Sequence, residues 1–311
     1  MKYLLLILII IIIVLLVSSL FMLYFSLRRN FLFRPSIRIE AGDIKGNAID
    51  LFYKGDIHTQ NKFNKLSEEL CITSDDNLKL KAWFIKNNTH KYMILCHGYT
   101  GCHKDSIVMA LKYYDLGFNT LCPDARGHGE SQGKFYGMGY LERKDIKKWM
   151  DLIISMDEKA EIVLYGVSMG AATVMTSMCY YHPSNLKCVV EDCGYGSLYE
   201  QFKNVLKNQY HIKYLPILDI ASILSKLICK YSFLETSIYE KIKNNEVPCL
   251  FIHGDKDDFV PYRFVNELYD LNKGPKQIYI VKGAGHATSA ILDNGGYYSK
   301  IKTFIDKYIS A

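Results

Sequence analysis

From residue 70 onward the chain alternates short apolar runs with amphipathic stretches of helical period, and that alternation leaves few folds open. Residues 78–85, 92–96, 118–122, 161–165, 187–191, 249–253 and 277–281 read as strands. Residues 106–116, 141–156, 169–181, 263–271 and 297–308 read as helices between and after them. Strands separated by helices must be joined by crossovers, so the expected class is α/β, a mostly parallel sheet with helices on both faces. A first strand at 69–73 pairs with 78–85 as a hairpin around Ser74-Asp75-Asp76-Asn77. Ligands of such sheets sit beyond the carboxyl ends of the strands, so the residues just after each strand are where chemistry is expected.

Three stretches fall outside the alternation. Residues 194–246 contain no obvious strand, and 215–229 carry a helical stripe of Ile217, Ile220, Ala221, Leu224, Leu227 and Ile228. This insertion reads as a helical lid, which must also pack as an ordinary helix pair. Residues 30–68 show no clear period and read as a linker or peripheral segment. Residues 3–27 are apolar throughout except for Ser18, Ser19 and Ser26 as strongly polar members. As a helix this run reaches roughly 37 Å, more than a hydrocarbon core of about 30 Å. It is too long for the apolar region of a signal peptide, and no A-x-A-like cleavage site follows. Residues 1–29 are therefore expected to be a single transmembrane anchor, and the lipid bilayer a partner. Lys2 and the terminal amine flank one side, Arg28, Arg29, Arg34 and Arg38 the other. The positive-inside rule then places the domain at 69–311 on the cytoplasmic side of the cell membrane.

Composition narrows the function. Hydrophobic residues make up 49% of the 311, enough for a sizeable core and too many for a disordered chain. Of the net charge of +6, three units come from Lys2, Arg28 and Arg29, and the mild excess left gives no reason to expect nucleic acid. No pair of the nine cysteines has C-x-x-C spacing, so free and mostly buried thiols in a reducing compartment are expected.

The strand ends carry the chemistry. After the strand at 161–165 stands Gly166-Val167-Ser168-Met169-Gly170, then a helix. A sharp turn there lifts the Ser168 hydroxyl into a cleft, and small residues at 166 and 170 let strand and helix approach. A serine alcohol needs a base oriented by a third group. Gly285-His286 follows the strand at 277–281 and offers the base. Asp255, Asp257 and Asp258 follow the strand at 249–253 and offer the third group. Backbone N–H groups of Met169, just after the nucleophile, and of Tyr99, after the strand at 92–96, are placed to form an oxyanion hole. Tyr99 would give its amide, leaving its side chain to shape the pocket.

Four local motifs carry a resemblance. They are His97-Gly98-Tyr99-Thr100-Gly101, Pro123-Asp124-Ala125-Arg126-Gly127-His128-Gly129-Glu130-Ser131, Gly166–Gly170, and His253-Gly254-x-x-Asp257-x-x-Val260-Pro261 with Gly285-His286 downstream. In this order they resemble the H-G-x-x-G, D-x-R-G-H-G-x-S, G-x-S-x-G and H-G-x-x-D motifs of α/β hydrolases. The resemblance spans residues 70–310 and is nearer the serine-hydrolase and aminopeptidase-like branch than the lipases. It implies the α/β-hydrolase fold with Ser168, Asp257 and His286 as catalytic triad. The family spacing of four residues from His253 selects Asp257 and leaves Asp255 and Asp258 as solvated loop charges. With the N-terminal run, the whole resembles membrane-attached hydrolases.

Other polar residues have plainer readings. His97 and His253 are expected to brace loops, and His128 to hold its own turn. His97 and His103 lack the partners of a metal shell, so no metal is expected, and no phosphate loop or other cofactor motif is present. Cys193 reads as a buried thiol rather than a second nucleophile. The expected function is hydrolysis of an acyl ester or thioester, a small-molecule substrate, with no cofactor and no protein partner. A peptidase acting on short peptides is the alternative, and would anchor the substrate amine on Glu200, Asp219 or Glu235. A catalytically silent scaffold is the other alternative.

Overall fold

The computed structural model describes residues 1–30, 40–41, 44–45, 47–212 and 216–310. Its centre is one eight-stranded sheet of β1 (Ser67–Thr73), β2 (Lys79–Ile85), β3 (Lys91–Cys96), β4 (Asn119–Pro123), β5 (Glu161–Val167), β6 (Leu186–Asp192), β7 (Cys249–Gly254) and β8 (Lys276–Val281). The strands lie in the order β8-β7-β6-β5-β3-β4-β2-β1. β1 and β2 form the expected antiparallel hairpin, β2 runs antiparallel to β4, and every other pairing is parallel.

The inner strands are apolar on both faces because both faces are covered. Ile94, Ile162 and Leu164 point to one side, where they meet Trp149 and Ile153 of α5 (Glu142–Met156) and Val174 and Met178 of α6 (Met169–Met178). Met93, Leu95, Val163 and Tyr165 point to the other, against α4 (Ile107–Asp115) and α12 (Asn294–Ile305). Alternate residues of one strand thus enter different cores, the period of two expected of a strand.

Residues 47–66, read from sequence without a period, form two helices, α2 (Asn47–Lys54) and α3 (Ile57–Leu66). Asp56 caps α3 by accepting from the Thr59 amide, and Phe63 is fully buried in the same core as α4 and α12. The insertion at 194–246 is helical, with α7 (Leu198–Asn208), α8 (Ile217–Ile228) and the short α9 (Tyr239–Ile242). Helix α10 (Arg263–Leu271) follows β7, and the short α11 (Ser289–Leu292) precedes α12.

Residues Lys2–Leu27 form one helix, α1, long and apolar enough to cross a membrane. Its last turns do not leave the domain on a free tether. Ser19, Leu23 and Leu27 are buried, and the helix packs along α8. Directly after it, Arg28 bridges Phe135 and the Arg29 amide donates to the Lys134 carbonyl. The Arg29 guanidinium grips the carbonyls of Ser131 and Gly129 at 2.6 and 2.5 Å.

Candidate active site

Ser168 sits between β5 and α6 with φ 57° and ψ −116°. A non-glycine residue held there costs on the order of 1–3 kcal/mol, and the surroundings must impose it. They do so through the Ser168 amide, which donates to the Asp192 carbonyl at 2.8 Å, and the Ser168 carbonyl, which accepts from Ala172 at 3.0 Å. The flanking glycines are sterically required. A Cβ at Gly166 would collide with the Gly170 carbonyl, and one at Gly170 with the Cys96 carbonyl.

The residues singled out from sequence come together. His286 Nε2 lies 2.8 Å from Ser168 Oγ, and His286 Nδ1 lies 2.8 Å from Asp257 Oδ2. A carboxylate only accepts, so Nδ1 carries the proton toward Asp257 and Nε2 is left to accept from the Ser168 hydroxyl. Ser168 and Asp257 are buried, and the ring of Phe259 covers His286 at 4.9 Å between centroids. The other oxygen of Asp257 accepts from the amides of Phe259 and Val260 at 3.0 and 2.8 Å. His253 Nε2 stands 3.3 Å from Asp257 Oδ2 and 3.0 Å from the Val260 carbonyl. Burial pushes the Asp257 carboxyl up. The charge of His286 and the hydrogen bonds from His253 and His286 outweigh it and hold the group well below the usual carboxylate range.

The two neighbours of Asp257 part company. Asp258 is exposed, as expected. Asp255 is half-buried and accepts from the Gly283 amide at 2.6 Å, tying the end of β7 to the end of β8. Asp255 thus keeps its place as a loop charge and also ties two strand ends together.

Met169 is the first residue of α6, whose leading amides have no acceptor within the helix. Tyr99 follows β3 by three residues, and its hydroxyl donates to the Ser26 carbonyl of α1 at 2.6 Å. His97 Nε2 accepts from the Ala125 amide at 3.0 Å, and His128 bonds the Arg126 carbonyl while stacking on Tyr136, so both brace loops. Cys193 is fully buried, and burial pushes its thiol well up.

Several residues around the site carried no motif. Tyr53 of α2 donates to the carbonyl of Ala287, the residue after His286. Tyr297 of α12 donates to Asp192 at 2.8 Å and meets the Tyr165 hydroxyl at 2.7 Å. Burial raises the Asp192 carboxyl to about 6. Only the amphipathic look of 47–54 could have pointed to Tyr53.

Two clusters among the described residues hold three potential ligand atoms within 4.8 Å of one another. In Cys102, His103 and Asp124 the carboxylate already takes the His103 amide, the His103 ring and the Glu130 amide. In Cys193, Asp257 and His286 the last two are bonded to each other. The acids considered as anchors for a peptide amine are also engaged. Glu200 pairs with Arg263 at 3.3 Å, Asp219 accepts from Tyr199 at 2.6 Å, and Glu235 pairs with Lys226 at 2.5 Å.

Comparison with known proteins bears on the family and the fold. Residues 87–209 match the family model described as serine aminopeptidase, S33. The uncharacterized protein YqkD of Bacillus subtilis (strain 168) is 31% identical over 221 residues, 71% of this chain and 72% of that protein. The uncharacterized membrane protein YNL320W of Saccharomyces cerevisiae is 27% identical over 247 residues, 76% of this chain and 79% of that one. Among solved structures, the esterase Pf2001 of Pyrococcus furiosus superposes with a TM-score of 0.66 at 22% identity, over 88% of this chain and 99% of its own.

Proposed function

The chain belongs to the α/β-hydrolase superfamily, and from that premise we propose that it is a membrane-anchored serine hydrolase that cleaves acyl esters or thioesters. The observation that carries the reading is the unbroken chain of two 2.8 Å hydrogen bonds from Ser168 through His286 to Asp257. His286 takes the Ser168 proton as the oxygen attacks the acyl carbonyl. Asp257 holds the imidazole in the needed tautomer and stabilises the imidazolium. The amides of Met169 and Tyr99 receive the negative charge on the carbonyl oxygen, each contributing about 3–4 kcal/mol to the transition state. His286 returns its proton to the leaving alcohol or thiol, then activates the water that releases the acid. These steps use side chains and backbone alone, without a cofactor or metal. Helix α1 anchors the domain, and the arginines after it favour the cytoplasmic face.

An ester is favoured over a peptide because Glu200, Asp219 and Glu235 already have cationic or hydroxyl partners. The test is labelling with a fluorophosphonate, then turnover of p-nitrophenyl acyl esters and of aminoacyl nitroanilides. Labelling of the native chain but not of Ser168→Ala, with turnover of the esters, is expected. Turnover of the anilides alone would replace the esterase by a peptidase. Absence of labelling on folded native protein would favour the scaffold.

A further inference from the structure

The lid and the anchor are packed as one unit. Along α1 the first buried or half-buried positions, Leu15, Ser18, Ser19, Met22 and Leu23, share one face of the helix, and from Met22 to Leu27 every residue is at least half-covered. The helix packs along α8. The two helices also end together, since the Tyr136 amide donates to the Leu27 carbonyl at 2.8 Å and the Tyr136 carbonyl accepts from the Tyr231 hydroxyl, just past α8, at 2.8 Å.

Length then sets the depth. Crossing a hydrocarbon core of about 30 Å takes roughly 20 helical residues. Starting at Tyr3, where the uninterrupted apolar run begins, that span reaches Met22. The stretch from Leu15 to Met22 is therefore inside the apolar layer and against α8 at once, so α8 stands at least partly at membrane depth. Its surface fits that position. The inward residues Leu218, Ala221, Ser222 and Ser225 are buried, while Ile223 and Leu227, one turn apart, are 63% and 66% exposed. Leu234 beyond the helix is 62% exposed, and Leu20 and Phe21 of α1 are exposed as well. The charged groups on α8 and just after it are Asp219, which accepts from the Tyr199 hydroxyl, the Lys226–Glu235 pair and Lys230, which donates to the Leu227 carbonyl. Long lysines can keep their charge at the headgroups while their neighbours enter the acyl region.

On the inner side, Leu23 and Leu27 share one apolar cluster with Leu218 and Ala221 of α8 and with Met169, and Tyr99 packs against it. Resting on the hydrolase reading above, we propose that α8 is immersed in the bilayer interface beside α1, and that the substrate is a long-chain acyl ester resident in the membrane, whose chain enters along this cluster. The same buried cluster joins the inner faces of α1 and α8 to Met169, the residue after Ser168.

The test uses the full chain reconstituted in phosphatidylcholine vesicles. The indole of Leu227→Trp, read against the native Trp83 and Trp149 background, is expected to be quenched by lipids brominated on the acyl chain and shielded from aqueous acrylamide. Quenching by acrylamide alone would overturn the proposal. So would shielding from both quenchers, which would mean that a second copy or another protein covers the face. The double variant Ile223→Asp, Leu227→Asp is expected to keep native turnover of p-nitrophenyl acetate and to lose at least about tenfold on a long-chain ester in vesicles, since charged side chains are expelled from the acyl region. Unchanged turnover of the vesicle ester would overturn the substrate assignment. A native chain inert toward both esters would sink the hydrolase reading itself, with bilayer contact then judged by quenching.

Discussion

The Tyr99 hydroxyl donates to the Ser26 carbonyl at 2.6 Å, joining the loop after β3 to the last turn of α1. The proposed oxyanion donor thus has its side chain held by the same helix that is proposed to cross the membrane. The Tyr99 ring also meets Tyr136 edge-on at 5.5 Å, and Tyr136 is bonded to Leu27.

Deleting residues 1–27 should for this reason do more than release the domain from the membrane. Leu23 and Leu27 are fully buried, and losing each removes about 1.5–3 kcal/mol of apolar burial. The truncated protein in detergent is expected to melt several degrees lower and to turn over a soluble ester more slowly than the full chain. Tyr99→Phe should cost only about 1 kcal/mol, the worth of one hydrogen bond. Thermal melts with p-nitrophenyl acetate assays check both, and a truncated form as stable and active as the full chain would contradict them.

Asp257→Asn should lower kcat by about 10³–10⁴-fold, because the amide can present a donor to Nδ1 and favour the wrong tautomer of His286. KM for a short ester is expected to change little. Steady-state kinetics decide it, and a loss of less than tenfold would show that His286 is oriented by something else.

Tyr53→Phe removes the hydroxyl that holds the Ala287 carbonyl beside His286. Tyr53 is a positioning residue in this reading. The expected result is a several-fold fall in kcat at constant KM, with a displaced pH–rate profile. A lower melting temperature with unaltered kinetics would make the contact purely structural.

Glu191 is fully buried at the end of β6. It accepts from the Gly194 amide at 2.9 Å through one oxygen, and the other has no hydrogen-bond partner among the described residues. Burial raises its carboxyl well above the ordinary value. A raised carboxyl keeps its proton in the folded chain at pH values where the unfolded chain, with a value of about 4.3, has lost it. The folded state then binds more protons, and stability falls as pH rises above about 4.3 by up to roughly 1.4 kcal/mol per pH unit. Glu191→Gln should remove that slope. Denaturant melts between pH 5 and 8 test it, and parallel slopes for the two proteins would refute it.

The site was legible because its residues follow strands in short motifs whose geometry is local. Gly166 and Gly170 are dictated by backbone contacts, so the pattern around Ser168 survives as letters. What stayed hidden depends on contacts remote in sequence. In α3 only Phe63 is buried, and the other apolar residues, Ile57 and Leu66, are exposed at its two ends, so no period shows. In α1 every position after Lys2 is apolar, aromatic or serine, so the residues that pack on α8 cannot be told from the rest by composition. The family spacing set Asp257 apart from Asp255, but only the fold shows that Asp255 accepts from the Gly283 amide across two strand ends.

The clasp of Arg29 on the Ser131 and Gly129 carbonyls leaves no slack between helix and domain. If α1 crosses the bilayer, a catalyst held this closely stays at the surface, and soluble esters must diffuse to it. Its encounters would be governed by how densely substrate populates the leaflet beneath it, so its rate should follow the mole fraction of ester in the surface and ignore dilution of the vesicles.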